Sequence, residues 1–171
     1  MSSTAISQPG ARSRPGRGRT TIRSTAGDTA VVGADPEETS NVDLPEDLIA
    51  LLRQPSSCYL ATTMPDGSPH LTQTWVDTDG EHIVINTVQG FQKARNVERD
   101  PRVAVSVSDP SNPSRYYAVR GRVVKAATEG GSEHIEVLAQ RYLGGPYPWY
   151  GGRDQVRLIL TIGADKIHAM G

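Results

Sequence analysis

The segment 87–101 carries the residues best suited to chemistry, because two cations and an amide follow a glycine turn. Gly90 interrupts the chain, and Lys93, Arg95 and Asn96 come in the first turns of a predicted helix. Free backbone N–H groups at a helix start attract anions, and lysine and arginine add charge-assisted hydrogen bonds. The segment therefore predicts a small phosphate-binding site.

The same segment also fits a purely structural interpretation. Arg95 and Arg99 can belong to a solvated helix face on which they pair with Glu98 and Asp100. The local residues leave both interpretations open.

The other reactive side chains form no catalytic or metal-binding pattern. The four histidines are scattered without ligand spacing, so no metal site is predicted. The single cysteine, Cys58, excludes an internal disulfide and starts a predicted strand with no base nearby, which favours a buried, inert thiol. Serines and carboxylates lack the context that hydrolysis requires. The sequence therefore assigns no catalytic residue.

Composition and charge exclude several classes of function. With 18 basic and 19 acidic side chains the formal net charge is −1, so no overall field attracts nucleic acid or an anionic membrane. No apolar run approaches the roughly 20 residues that span a bilayer, and the N-terminus lacks an apolar signal core. A cytoplasmic protein without nucleic-acid or membrane partners is expected.

The chain divides near residue 43. Residues 1–43 are rich in Ser, Thr, Gly, Pro and Arg without periodicity, and they predict a disordered tail. Five arginines there are balanced by five acidic residues, and no aromatic residue lies between the arginines. This favours a solvated tail over a nucleic-acid-binding arm. Residues 44–171 predict one folded domain.

The elements of that domain are short. Asp43 is expected to cap a helix that ends before Pro55, and further helices are expected at 91–99 and at 133–143, the last ended by Gly144. Short β-prone runs separated by turn residues predict seven strands, with Gly121 at a strong bend in the fifth. The expected strands are 58–63, 69–77, 82–87, 103–108, 116–127, 155–162 and 166–170.

Consecutive hairpins with a helix at one corner predict a small closed or split barrel of six or seven strands. Side chains fill the interior of so narrow a barrel, so a ligand is expected outside it, where two barrels meet.

Several motifs in their order along the chain carry a family resemblance. They are Cys58-Tyr-Leu-Ala-Thr-Thr, Asp-Gly67-Ser-Pro69, Thr72-Gln-Thr-Trp75, Thr87, Lys93-Ala-Arg-Asn96 and Asp-Pro101-Arg-Val. The set resembles the pyridoxamine-phosphate-oxidase-like split-barrel superfamily, and within it the actinobacterial flavin and deazaflavin oxidoreductases that use coenzyme F420. The resemblance covers about residues 44–171. It implies a mainly β (β+α) split barrel of the FMN-binding type, with two to three short helices.

The resemblance also implies a homodimer that binds its cofactor in grooves between two barrels. Basic residues after the third strand would hold the cofactor phosphate, and the second strand would line its ring. The implied cofactor-binding residues are Thr62, His70, Gln73, Trp75, Thr87, Lys93, Arg95 and Asn96. In some deazaflavin-binding relatives a basic residue stands two positions before the lysine, whereas this chain has Phe91. One anchor is therefore missing or replaced by an arginine elsewhere.

The loop 146–153 combines aromatic residues with glycines. Such a loop fits a substrate lid, with Trp149, Tyr150 and Arg153 as candidate substrate-binding residues, and it fits packing in a dimer equally well.

The function that the resemblance implies is an oxidoreductase of small molecules. Reduced coenzyme F420 would transfer a hydride to an activated double bond, such as that of an enone or imine. The alternatives are an FMN-binding oxidase or reductase of the pyridoxamine-phosphate-oxidase type and a non-catalytic carrier of a cofactor or haem. Tyr117, Tyr147 and Tyr150 are equal candidates for a proton donor.

Overall fold

Seven strands form one antiparallel sheet in the computed structural model, which describes residues 41–171. The strands are β1 (Ser57–Thr63), β2 (Pro69–Thr74), β3 (Val76–Thr78), β4 (Ile83–Val88), β5 (Arg102–Asp109), β6 (Asn112–Ala127) and β7 (Arg157–Met170). The helices are α1 (Glu46–Leu52), α2 (Gln92–Arg99) and α3 (Gly131–Leu143). The predicted mainly β fold is confirmed. Most of the predicted tail, residues 1–40, lies outside the described residues.

The sheet curls into a half-barrel because its two edge strands are neighbours in the chain. The strand order is β2-β1-β5-β6-β7-β4-β3. β2 ends at Thr74 and β3 begins at Val76, so Trp75 alone joins the two edges. The prediction of one continuous strand over 69–77 is therefore wrong. The break places the Trp75 indole at the corner where the barrel opens.

Aliphatic side chains fill the interior of the barrel. Leu60, Ile83, Ile85, Val107, Leu160 and Ile162 are fully buried there. Helix α1 adds Leu48, Leu51 and Leu52 to the same core. Each large aliphatic side chain buried in this way stabilises the fold by about 2 kcal/mol. The filled interior agrees with the sequence analysis, and a ligand site outside the barrel stays a prediction.

Helix α1 starts later than predicted. Pro45 occupies the cap position, and no side chain there hydrogen-bonds to the first turn. The expected cap by Asp43 is wrong because Leu44 is drawn into the core and Pro45 fixes the chain before Glu46. Upstream of the helix, the Val42 amide donates to the Ala164 carbonyl at 2.7 Å, so this segment lies against β7.

Strand β7 is one strand where two were predicted. Gly121 of β6 approaches it so closely that a Cβ on Gly121 would lie 2.1 Å from the Gly163 carbonyl oxygen. The register passes from Arg120↔Lys166 to Gly121↔Ala164, which leaves Asp165 as an extra residue. This bulge bends the sheet without ending the strand. The register shift falls at Gly121, where the sequence predicts a strong bend.

Of the three helices described, none combines the length and apolar character needed to cross a bilayer.

Candidate functional site

A cleft of about 490 Å³ opens beside the corner where β2 passes into β3. Aromatic rings and a few polar side chains form its wall. They include Trp75, Asn86, Tyr142, Tyr147, Tyr150 and Arg157. Gln73, the remaining cofactor candidate in the cleft wall, lies on β2 next to Trp75. Aromatic rings beside hydrogen-bonding groups suit a planar organic ligand that carries polar substituents.

Trp75 is held in place by stacking. Its ring lies 5.1 Å from that of Tyr142, with 15° between the planes. The Tyr142 hydroxyl donates to the Ser56 carbonyl at 3.1 Å and accepts from the Val76 amide at 3.2 Å. Burial raises the pKa of Tyr142 to about 12, so the hydroxyl stays protonated near neutral pH. The fixed Tyr142 therefore sets the orientation of the indole at the cleft.

The predicted lid loop reaches the cleft through Tyr147. Its ring meets those of Trp75, Trp149 and Tyr150 edge to face, at 5.9, 5.4 and 5.7 Å. Glu136 of α3 anchors the loop, because its carboxylate accepts from the Tyr147 amide at 2.8 Å and from the Trp149 Nε1–H at 3.0 Å. The structure thus brings Trp149 and Tyr150 to the cluster that faces Trp75. Their contact with a substrate stays a prediction.

Two further candidates are outside the cleft wall. Arg153 is exposed and stacks on the Trp149 ring, with its guanidinium carbon 5.4 Å from the ring centre. Tyr117 belongs to the barrel core. Of the three tyrosines considered as proton donors, Tyr147 and Tyr150 therefore border the cleft and Tyr117 does not.

Arg157 is a candidate that sequence reasoning missed. It opens β7 opposite Val88 and is only 7% exposed. Its Nε–H donates to Asn86 Oδ1 at 2.8 Å, and its guanidinium carbon lies 5.3 Å from the centre of the Tyr147 ring. Burial lowers the pKa of Arg157, and Tyr147 opposes that effect. Within the region that the structure covers, no carboxylate pairs with it.

Arg157 could not be identified as a candidate from the sequence, because the residue that it contacts is distant in the chain. Asn86 lies 71 residues before it, and a lone arginine at the start of a strand has no local motif. Only the β4·β7 pairing brings the two side chains together.

Lys93, a predicted phosphate ligand, has no acidic partner in the described chain. It lies in the first turn of α2 and is partly buried. Burial, and next the charge of Arg157, lower its pKa. Lys93 itself is outside the cleft wall.

Thr87 precedes the turn into α2 and is 3% exposed. Its hydroxyl is a buried group for which residues 41–171 supply no hydrogen-bond partner. A buried polar atom normally has a partner, so this hydroxyl is suited to contact a ligand.

Asn96, Thr62 and His70 form a separate hydrogen-bonded cluster. The fully buried Asn96 donates from Nδ2 to Thr62 Oγ1 at 2.9 Å and accepts from Gln92 Nε2 at 2.8 Å. His70 Nδ1 lies 3.4 Å from the same threonine oxygen. The cluster ties α2 to β1 and β2, a positioning role that the sequence did not indicate. Direct contacts of these three residues with a cofactor stay predictions.

Arg95 lies on the exposed face of α2. It donates to Gln92 Oε1 at 2.8 Å. Asp100, its neighbour in the structural interpretation of the sequence, pairs instead with Arg102 at 2.7 Å. The position of Arg95 agrees with a solvated helix face, although its partner differs, and its role at a phosphate stays a prediction.

Comparisons with known proteins agree with this architecture. The family model described as pyridoxamine 5'-phosphate oxidase matches residues 44–166. A solved structure of an F420 reductase is 34% identical, with a TM-score of 0.64 over 73% of this chain and 98% of that chain. No curated protein matches the sequence significantly.

Two more distant structures support the fold alone. A conserved hypothetical protein of Mycobacterium tuberculosis is 23% identical, with a TM-score of 0.56 over 78% of this chain and 89% of its own. General stress protein 26 of Bacillus anthracis is 18% identical, with a TM-score of 0.54 over 73% of this chain and 92% of its own.

Proposed function

The chain belongs to the pyridoxamine 5'-phosphate oxidase family, and we propose that it is an oxidoreductase that uses reduced coenzyme F420 to reduce an activated double bond of a small molecule. The observation that carries the proposal is Lys93, a partly buried lysine with no acidic partner in residues 41–171, at the start of the helix that follows β4, the strand that contributes Asn86 to the cleft. Similarity to an F420 reductase supports this choice of cofactor.

The residues present fit a phosphorylated, ring-bearing cofactor. Lys93 supplies a charge for the phosphate, and the buried Thr87 hydroxyl is free to donate to it. Trp75 and Gln73 border the space for the ring. When bound, the deazaflavin supplies the hydride.

The remaining chemistry falls to side chains around the cleft. Tyr147 and Tyr150 would exclude water from its open side and hold the proton that the reduced product needs. Tyr142 is unsuited to that task because its hydroxyl already donates to the Ser56 carbonyl.

A homodimer is part of the proposal. On β1 and β2, Tyr59 is 40% exposed and Leu71 is 64% exposed, and both lie on the outer face of the sheet. Tyr59 pairs in register with Gln73 of the cleft wall, so a second copy that covers this face would close the cleft. Light scattering should give twice the mass of one chain, and Leu71→Asp should lower it to that of one chain.

A second candidate cofactor is FMN. Phe91 stands where some deazaflavin-binding relatives carry a basic residue, and the anionic tail of F420 needs more cationic contacts than FMN does.

Titration of the purified protein with F420 and with FMN, followed by quenching of cofactor fluorescence, tests the proposal. We expect F420 to bind at least about tenfold more tightly than FMN. Reduced F420 should then be consumed in the presence of enones or imines. Tighter binding of FMN would favour the second candidate, and binding without consumption across a broad panel would indicate a carrier. Binding of neither cofactor would contradict the proposal.

A further inference from the structure

Arg157 has free hydrogen-bonding capacity at the cleft that the proposed function does not use. We propose that Arg157 binds an oxyanion, a phosphate or a carboxylate, through its Nη1 and Nη2 groups. The inference concerns the same cleft and rests on the proposed function for the identity of the ligand, but not for the existence of the anion site.

The Nη1 and Nη2 side of the Arg157 guanidinium is the part that is left for a ligand. Nε donates to Asn86 Oδ1, and one face of the group lies against the Tyr147 ring. In the described part of the chain, Tyr147 is the further hydrogen-bonding neighbour of the guanidinium, so most of the four Nη–H donors are left for a ligand. These two groups form the planar fork that binds carboxylate and phosphate oxygens in pairs.

Asn86 holds the fork rigidly. Its Nδ2 donates to the Gly131 carbonyl at 2.8 Å and lies 3.2 Å from His134 Nδ1. His134 Nε2 in turn lies 3.3 Å from Asp77 Oδ2. Because Nδ2 is committed to these partners, the amide oxygen must face Arg157. An anion would therefore meet a guanidinium that is already oriented, which reduces the entropy lost on binding.

The charge balance around Arg157 also favours an anion. Other partly buried arginines in residues 41–171 have acids, since Arg141 lies 2.9 Å from Asp77 and Arg122 lies 3.3 Å from Asp165. Arg157 has no acid, and Lys93 adds a second positive charge that is close enough to be coupled to it. A bound phosphate or carboxylate would offset this positive charge. Arg157 would then also supply the cationic contact that Phe91 does not provide.

The first experiment needs no cofactor. Inorganic phosphate is added at constant ionic strength, and Tm is measured for the wild type, Arg157→Gln and Arg157→Lys. Arg115→Gln is the matched control, because Arg115 is engaged with Asp47 and Asp109. At about ten times Kd, phosphate should raise Tm by about 4 °C in the wild type and in the control.

In Arg157→Gln that increase should disappear. Arg157→Lys keeps the charge without the fork and should retain at most half of the increase, and it serves as the test if the glutamine variant does not fold. An equal increase in all four proteins would overturn the proposal, whatever the cofactor.

The second experiment identifies the source of the oxyanion. Kd is measured for FMN against riboflavin and for F420 against its phosphate-free deazariboflavin. If the oxyanion belongs to the coenzyme, Arg157→Gln should weaken the phosphorylated ligands at least about tenfold and leave the phosphate-free ligands within about twofold. If all four ligands are unaffected while the phosphate effect on Tm is lost, the oxyanion belongs to the substrate. If no cofactor binds but the phosphate effect depends on Arg157, the proposed function fails and the anion site stands.

Discussion

Two groups of charged residues meet at Asn86 and differ in how their charges are balanced. In the first, Arg141 and His134 face the Asp77 carboxylate at 2.9 and 3.3 Å. In the second, Lys93 and Arg157 lie in the described structure without an acid. Burial opposes ionisation in both groups, but hydrogen bonds outweigh it only in the first, where the pKa of Asp77 falls to about 2.

The comparison separates charges that stabilise the fold from charges that lower its stability. Proteins retain buried, uncompensated charge mainly at sites where a ligand supplies the counter-charge. Asn86 joins the two groups, since it contacts His134 on one side and Arg157 on the other. The balanced group therefore orients Arg157 of the unbalanced group through Asn86.

The largest effect is expected from a substitution that breaks the balanced group. Asp77→Asn leaves Arg141 and His134 without their carboxylate and should lower the free energy of unfolding by about 3 kcal/mol in urea denaturation. Asp165→Asn is the control, because its pair with Arg122 is more exposed and should contribute at most about 1 kcal/mol. A loss below that value for Asp77→Asn would contradict the stabilising role of the group.

The second prediction uses pH. The pKa of Asp77 is lowered from 3.8 to about 2, so the folded state binds its proton less readily than the unfolded state. Its contribution is complete above about pH 4 and is lost as pH falls towards 2, with a total of about 2 kcal/mol. The stability difference between wild type and Asp77→Asn should shrink over that interval. A constant difference would show that the carboxylate charge is not responsible.

The smallest effect tests the unbalanced group. Lys93→Ala should weaken cofactor binding by about tenfold, whereas Arg95→Ala, on the exposed face of the same helix, should change it by no more than about threefold. Fluorescence titration measures both. If Kd for Lys93→Ala stays within about twofold of wild type, Lys93 does not hold the phosphate. A larger effect at Arg95 than at Lys93 would indicate that the exposed face of α2, rather than Lys93, holds the phosphate.

Local patterns were sufficient to predict most of the strands and α2, because turn residues and alternating side chains bound each element. The break at Trp75 had no local signal, since it depends on which edges of the sheet meet. The continuity of β7 depends on the close approach of Gly121 to Gly163, residues that are distant in sequence. Both features arise from contacts between strands rather than from propensity.

The residues of the candidate site also fall into two sets, those that a local pattern predicts and those that only contacts between elements reveal. Thr87 and Lys93 lie in the same segment, 87–101, so their residue types and spacing were visible in the sequence. Arg157 became a candidate only when β4 and β7 paired and brought it to Asn86. The structural role of Asn96 was also hidden, because its partner Thr62 lies on another element.

The positions of the tryptophans have a practical consequence. The chain has two, Trp75 and Trp149. The first forms part of the cleft wall, and the second touches it through Tyr147. Tryptophan emission from the unlabelled protein therefore comes from one small neighbourhood. A change in that emission on adding a compound would report an event in that neighbourhood, while rearrangements on the far side of the barrel would leave the tryptophan signal unchanged.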